Sequence, residues 1–213
     1  MRISNAVKYI KGPKGTKVTL TIKKVDGTIK DVTLIRDVIE IGETYAKTSI
    51  VDKDEKKFGV INLPSFYVDF QDYNKINAAK DVRLEIERLK AEGIEGIVLD
   101  LRSNGGGSLS AVVDMAGLFI KEGPIVQVRS TGESKEVLKD RDKSIVWDGP
   151  LVMLVNEISA SASESMAAAM HDYKRALIIG STQSYGLGTV QNVLKLNNIL
   201  RSRTAGDLGC VAL

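Results

Sequence analysis

One stretch of the sequence reads Gly96-Ile97-Val98-Leu99-Asp100-Leu101, and a glycine-rich turn at 102–107 follows it directly. A nearly continuous apolar run of this length is typical of a strand that is covered on both faces. Residues 150–155, Pro-Leu-Val-Met-Leu-Val, repeat the pattern. Two such strands predict a parallel sheet buried inside an α/β domain.

Helical patterns separate the strand candidates in the middle of the chain. Their periodicity predicts helices at 76–91, 109–120 and 160–170. Further strand candidates lie at 58–63, 125–128 and 176–179. Strands that alternate with helices predict a largely parallel sheet with right-handed crossover connections. The polar segment 130–148 interrupts this order, and we expect it to be an excursion at the surface.

The first 36 residues have a different pattern. Residues 5–10 predict a short helix, and alternation at 17–22 and 31–35 around Asp26-Gly27 predicts a β-hairpin. This segment is too short for a core of its own, so we interpret it as part of a larger domain. It holds nine Lys and Arg against two Asp, while the whole chain has a net charge of +3. Because that net charge is small, we interpret the basic segment as a solvated face and expect no nucleic-acid partner.

Composition excludes several classes of protein. Of the 213 residues, 43% are hydrophobic and 27% are charged, which rules out wholesale disorder. The single cysteine, Cys210, excludes an intramolecular disulfide and a cysteine-ligated zinc site. With one histidine, His171, little material remains for metal binding, and we expect no metal and no other cofactor. No apolar run is long enough for a transmembrane helix or placed as a secretory signal.

Two loops follow the predicted buried strands, at the sheet edge where α/β proteins collect their sites. In the first, Gly105, Gly106 and Gly107 leave backbone N–H groups exposed, so the loop can cradle an anion or an oxyanion. An ordinary tight turn explains the glycines equally well. The loop fits neither the dinucleotide-binding nor the phosphate-binding glycine motif.

The second loop ends in the string Ser159-Ala160-Ser161-Ala162-Ser163-Glu164 at the start of a predicted helix. A serine there lies near helix N-terminal N–H groups, which stabilise a developing oxyanion, but serine is also a preferred N-cap residue. His171 does not suit as the base for Ser161, because ten residues of helix at about 1.5 Å each would separate the two by roughly 15 Å. We expect His171 to lie at the helix end. A third segment, 184–191, follows a strand and can return to the same edge.

Together these segments resemble the C-terminal processing, or tail-specific, proteases of the S41 serine peptidase family. The motifs that carry the resemblance lie at 100–107, 117–120, 123–128, 159–164 and 186–191. The resemblance implies an S41 peptidase core at 39–213, cut short at its C-terminal end. Its fold would be the crotonase-like or ClpP-like α/β spiral, a mostly parallel β-sheet with flanking helices. Residues 1–38 resemble the C-terminal half of a PDZ domain. An incomplete sheet edge would favour a homo-oligomer.

The resemblance also implies roles for individual residues. Ser161 would be the nucleophile, the N–H groups of Gly107 and Ala162 would form the oxyanion hole, and Gln191 would orient the base. The family's base is a lysine, but this chain has Leu187 at that position. Leucine cannot accept a proton, and neither Lys174 nor Lys195 falls in the motif. We therefore expect peptidase activity to be absent or severely impaired.

The function implied by the resemblance is that of a serine endopeptidase in the periplasm or cell envelope. Its substrates would be unfolded or C-terminally tagged proteins with apolar tails. The rival interpretation is a non-catalytic peptide-binding module that keeps the cleft and lacks the base. A third interpretation, an anion-binding α/β domain that uses Gly105–Gly107, explains fewer features of the sequence.

Overall fold

The computed structural model describes residues 7, 9–37, 45–69, 76–191, 193–199 and 209–212. The chain divides into two compact units, residues 1–42 and residues 43–213. The identification of the first unit as half of a PDZ domain stays a prediction.

The first unit contains an antiparallel β-hairpin. Strand β1 (Lys17–Lys23) pairs with β2 (Ile29–Ile35), and the pair closest to the turn is Lys23 with Ile29. Gly27 in the turn has φ 86°, a value that glycine adopts without strain. The predicted hairpin is therefore confirmed. Of the helix expected at 5–10, residues 7, 9 and 10 are helical and the remainder lies outside the described residues.

The second unit contains strands and helices in alternation. The strands are β3 (Lys47–Lys53), β4 (Lys56–Asn62), β5 (Gly96–Asp100), β6 (Gly123–Val128), β7 (Glu136–Asp140), β8 (Leu151–Val155), β9 (Leu177–Gly180), β10 (Val193–Lys195) and β11 (Cys210–Ala212). The helices are α1 (Ala78–Ala91), α2 (Leu109–Ala116), α3 (Ala162–Asp172) and α4 (Leu196–Ile199).

A five-stranded sheet in the order β3-β4-β5-β8-β9 forms the centre of this unit. The pairs β4-β5, β5-β8 and β8-β9 are parallel, and β3 joins antiparallel at one edge. The carboxyl ends of four neighbouring strands therefore meet at one edge of the sheet. The predicted mixed α/β architecture with a mostly parallel sheet is confirmed.

Apolar faces of α1, α2 and α3 pack into a common core with the sheet. In α1, Val82, Ile86 and Leu89 are completely buried, whereas Leu84 is 62% exposed. Asn77 caps this helix by accepting a hydrogen bond from the N–H of Ala79 at 2.8 Å. None of the helices in the described ranges combines the length and the apolar character that a membrane span requires.

Three details differ from the sequence prediction. Helix α2 ends at Ala116 and not at residue 120, because the chain leaves the helix at Gly117. Strand β6 does not join the central sheet but forms a separate antiparallel pair with β7, which lies inside the segment expected to be a surface excursion. Strand β3 was not predicted, since its turn to β4 carries no glycine and uses Asp54 and Glu55 at positive φ.

Candidate active site

A cleft of about 860 Å³ lies beside the loops that follow β4, β5 and β8. The five residues to which the resemblance gives a role, Gly107, Ser161, Ala162, Leu187 and Gln191, all line it. The other lining residues are Ser65, Phe66, Tyr67, Val68, Ser108, Leu109, Ser110, Thr189 and Val190. The three segments singled out in the sequence, which follow β5, follow β8 and lie at 184–191, therefore meet at one place, where the segment after β4 joins them.

The structure separates the three serines of the 159–163 string. Ser159 is completely buried, and its hydroxyl donates to the carbonyl of Leu101 at 2.8 Å. Ser163 is also completely buried and donates to the carbonyl of Asn104 at 2.9 Å. Ser161 is half-buried and lines the cleft. Ser159 and Ser163 thus join loops together, and the Ser161 side chain faces the space that a ligand can enter.

Ser161 has an unusual backbone conformation. It stands at the N-cap of α3 with φ 54° and ψ −109°, whereas N-cap residues normally have extended backbone. A positive φ costs energy in a residue with a side chain, and such strain often marks a functional position. The sequence left open whether a serine here is an N-cap residue or part of a reactive site. The two alternatives are not exclusive, because Ser161 occupies the capping position and also faces the cleft.

Glycine is required at two positions of the loop opposite Ser161. A Cβ atom on Gly106, which has φ 107°, would lie 2.9 Å from the Cβ of Ser161. A Cβ atom on Gly107, which has φ 146°, would lie 2.3 Å from the carbonyl oxygen of Phe66. Real Cβ atoms do not approach other atoms so closely. The glycines therefore serve close packing of the loop as well as its turn.

Two backbone N–H groups are available at the cleft. Within the described ranges, neither the N–H of Gly107 nor that of Ala162 donates to a backbone or side-chain acceptor. The nitrogen of Ala162 lies 3.1 Å from the position of a Cβ on Gly106 and opens helix α3. One unpaired N–H group at a helix N-terminus and a second on the facing loop, both beside a hydroxyl, form an arrangement that can stabilise an oxyanion.

Glu164 connects the serine loop to the segment that contains Leu187. Its Oε1 accepts from the Ser184 hydroxyl at 2.5 Å and from the Gly186 N–H at 2.6 Å. Its Oε2 accepts from the N–H of Ser161 at 2.8 Å and of Leu187 at 2.9 Å. Burial raises the pKa of Glu164, but these four hydrogen bonds outweigh burial and hold it below its ordinary value. Sequence reasoning missed this residue, although the spacing Ser-x-x-Glu is a capping-box signal.

Leu187 occupies the position where the resemblance places a base. Its side chain is 42% exposed and lines the cleft, and the preceding Gly186 has φ 87°. The N–H of Tyr185 donates to the carbonyl of Ser159 at 3.0 Å, which further fixes this segment against the serine loop. Gln191 is exposed and lines the same cleft.

The described residues that line the cleft include no lysine, histidine or carboxylate. Tyr67 is the ionisable group among them, and its hydroxyl donates to Asp81 at 2.7 Å. Burial, and then the Asp81 carboxylate, raises the pKa of Tyr67, so it stays protonated and is not a base at neutral pH. His171 lies in the last turn of α3, as expected, with an exposed side chain. Lys174 follows that helix and does not line the cleft, and the side chain of Lys195 lies outside the described residues.

Comparisons with known proteins agree on the family to which the chain is similar. The model of peptidase family S41 matches residues 57–207. The tail-specific protease of Haemophilus influenzae is 41% identical over 93% of this chain and 27% of its own length. The carboxy-terminal processing protease CtpA of Bacillus subtilis is 36% identical over 90% of this chain and 38% of its own length. A solved structure of the photosystem II D1 C-terminal processing protease superposes with a TM-score of 0.61 at 26% identity, covering 88% of this chain and 49% of that one. The chain thus spans less than half the length of each of these proteins.

Proposed function

Because the chain belongs to peptidase family S41, we propose that its cleft is a serine endopeptidase site of the C-terminal processing type. The observation that carries the proposal is the setting of Ser161. It is the serine of its string that faces the cleft, it has a strained backbone, and it lies beside two unpaired N–H groups.

In the proposed reaction the Ser161 hydroxyl attacks the carbonyl carbon of a peptide bond and gives its proton to a base. The carbonyl oxygen becomes an oxyanion, to which the N–H groups of Gly107 and Ala162 donate. The tetrahedral intermediate then expels the amine, which takes up a proton, and leaves an acyl group on the serine. Water hydrolyses that ester and restores the hydroxyl.

The general base is the missing part of this mechanism. Leu187 has no group that can accept a proton, and the described cleft residues offer no other base. Removal of one member of a catalytic unit abolishes most of the chemical rate, while the oxyanion hole and substrate binding retain a remainder. We therefore infer that the chain cleaves peptides very slowly or not at all, with Gln191 left without a lysine to orient.

The proposed substrates are unstructured proteins with apolar C-terminal tails. Val68, Leu109 and Val190 give the cleft an apolar wall, and no charged side chain among the described lining residues would repel an apolar residue. The names of the relatives from Haemophilus influenzae and Bacillus subtilis refer to action at protein tails. A periplasmic or cell-envelope location and assembly into a homo-oligomer belong to the same proposal.

A second candidate function is favoured by Leu187 itself. A leucine at the base position removes proton transfer but leaves the cleft and the oxyanion donors in place. The cleft would then bind a peptide tail without cutting it. The two candidates differ in whether the rest of the site is competent for chemistry.

Restoration of the base separates the two candidates. The experiment compares cleavage of an unstructured protein with an apolar C-terminus by the unchanged chain and by Leu187→Lys. Thr189→Lys serves as the control, because it places a lysine elsewhere on the wall of the same cleft. We expect activity from Leu187→Lys alone, and its loss in the double variant with Ser161→Ala. A folded Leu187→Lys variant that binds the peptide but never cuts it would support the binding module and contradict a competent site.

A further inference from the structure

Asn104 is a completely buried polar residue at the centre of the glycine-rich loop. Its side-chain amide uses both of its ends. Nδ2 donates to the carbonyl of Leu63 at 2.8 Å, and Oδ1 accepts from the N–H of Gly106 at 2.8 Å. Asn104 therefore connects the segment that follows β4 with the loop that follows β5.

These two segments also pair through their backbones. The N–H of Phe66 donates to the carbonyl of Gly106 at 2.9 Å, and the N–H of Ser108 donates to the carbonyl of Phe66 at 2.7 Å. The carbonyl of Gly106 and the N–H of Gly107 belong to one trans peptide unit, in which they point in opposite directions. The hydrogen bond that holds the Gly106 carbonyl toward Phe66 therefore turns the Gly107 N–H away from Phe66.

Glycine residues on both sides of this peptide cannot hold it by themselves. Gly106 and Gly107 both have positive φ, and a glycine pair can rotate between several allowed conformations. Asn104 restricts that freedom, because it fixes the Gly106 N–H and, through Leu63, the register of the segment that carries Phe66. The direction of the Gly107 N–H thus depends on the Asn104 side chain.

The backbone of Asn104 holds the other side of the cleft. Its carbonyl accepts from the N–H of Ala160 at 3.0 Å and from the hydroxyl of Ser163 at 2.9 Å. These two residues flank Ser161 and Ala162. Asn104 therefore holds the segment that carries the N–H group of Ala162 as well as the loop that carries the N–H group of Gly107.

We propose that Asn104 is the positioning residue of the oxyanion hole, which aligns the N–H groups of Gly107 and Ala162 with each other. The role of those N–H groups rests on the proposed function, but their alignment by Asn104 does not. Asn104 would touch neither the substrate nor the reacting atoms, because it acts through Gly106 and Ala160.

The test measures the directions of the two N–H bonds in the full chain labelled with ¹⁵N, from residual dipolar couplings. Asn104→Ala removes both side-chain hydrogen bonds. We expect the coupling of Gly107 to depart from that of the unchanged chain while the amides of β5 keep theirs, so that the two N–H bonds lose their alignment; Ala162 is held through the backbone carbonyl of Asn104, which the substitution retains. Asn104→Asp keeps an acceptor for Gly106 but sets an oxygen against the Leu63 carbonyl, and it provides the same comparison if the alanine variant does not fold.

Asn77→Ala is the matched control. Asn77 is also buried, 1% exposed, and also accepts from backbone N–H groups, but it caps α1. The Asn77→Ala variant should lower the free energy of unfolding without changing the direction of either N–H bond of the oxyanion hole. Folded Asn104→Ala or Asn104→Asp protein whose Gly107 coupling matches that of the unchanged chain would overturn the proposal.

A kinetic comparison in the Leu187→Lys chain adds the catalytic consequence. Loss of one oxyanion donor lowers kcat by about 10²- to 10³-fold in serine proteases. We expect Asn104→Asp to lower kcat by up to that factor with KM nearly unchanged, whereas Asn77→Ala changes neither. If the Leu187→Lys chain shows no peptidase activity, the proposed function fails. The residual dipolar couplings still decide whether Asn104 positions the N–H groups.

Discussion

The backbone N–H groups of Ser161 and Leu187 donate to the same oxygen atom, Glu164 Oε2, at 2.8 Å and 2.9 Å. The two nitrogen atoms therefore cannot be further apart than these two bond lengths together. A side chain at position 187 starts close to the serine, whatever its identity. Under the proposed function, a lysine side chain at position 187 would therefore start close to Ser161.

Glu164→Gln should release the segment 184–187 from the serine loop. The neutral amide offers one acceptor oxygen in place of two, and its NH₂ group faces N–H donors. Because hydrogen bonds to a charged group contribute about 1.5–3 kcal/mol when buried, and this carboxylate is partly exposed, we expect a loss of up to about 2 kcal/mol. Urea unfolding measures the loss, and amide hydrogen exchange at Gly186 and Leu187 should accelerate.

Glu157→Gln is the control for that comparison. Glu157 is exposed and accepts one side-chain hydrogen bond, from Ser181 at 2.6 Å. Because Glu157 is fully exposed to solvent, we expect Glu157→Gln to leave the free energy of unfolding nearly unchanged. Equal effects of the two variants would contradict the role assigned to Glu164.

Acid should loosen the same segment. The folded-state pKa of Glu164 lies below its ordinary value of 4.5, so the stabilisation from its carboxylate is complete above that value. It is lost as the pH falls through the lowered folded-state pKa. The amide shifts of Gly186 and Leu187, followed by NMR from pH 7 downward, should change together below pH 4.5. In Glu164→Gln the transition should disappear, and its persistence would assign it to another group.

Alanine at Gly105 and alanine at Gly107 should have unequal effects. Gly107→Ala places a Cβ against the Phe66 carbonyl at positive φ, and we expect about 3 kcal/mol of destabilisation. Gly105→Ala meets no atom within 4 Å, so a change within about 0.5 kcal/mol is expected. Thermal and urea unfolding of both variants decide the matter. Similar losses of stability in the two variants would mean that the loop adapts to a Cβ atom at position 107 and that its close packing does not require glycine there.

Alanine at the three serines should separate structural from exposed hydroxyls. Ser159→Ala and Ser163→Ala each remove a buried hydrogen bond to a carbonyl and should cost about 1–2 kcal/mol. Ser161→Ala removes a hydroxyl at the cleft wall and should cost about 0.5 kcal/mol or less. Urea unfolding ranks the three variants. A Ser161→Ala variant less stable than Ser159→Ala would contradict the assignment of the three side chains.

The central strands were predictable because their signals are local. The apolar runs at β5 and β8 have no polar alternation, and burial on both faces is what such a run requires. Strand β3 escaped prediction because Asp54 and Glu55 reach positive φ without the glycine that normally marks a tight hairpin. Strand β7 escaped because its residues are mostly exposed and polar, as expected for an excursion at the surface.

The five cleft residues to which the resemblance gives a role were found through motifs, but the contacts that hold them in place were not. Asn104 looked like a turn residue, because its partners Leu63 and Ser163 are 41 and 59 positions away in the sequence. The partners of Glu164 in the segment 184–187 are likewise remote. No periodicity or local propensity encodes such pairings, which exist only after the sheet has brought the loops to one edge.

The pairing of β5 with β8 also imposes an order on biosynthesis. These strands are neighbours in the sheet, but residues 101–150 separate them along the chain. When the ribosome has released β5 and its glycine-rich loop, the segment that supplies Ala160 and Ser163 to Asn104 has not yet been made. Contacts between distant segments form late because closing the intervening loop costs entropy. The nascent domain must therefore leave the carbonyl of Asn104 without these two partners until translation has passed residue 163, and the cleft cannot be completed before then.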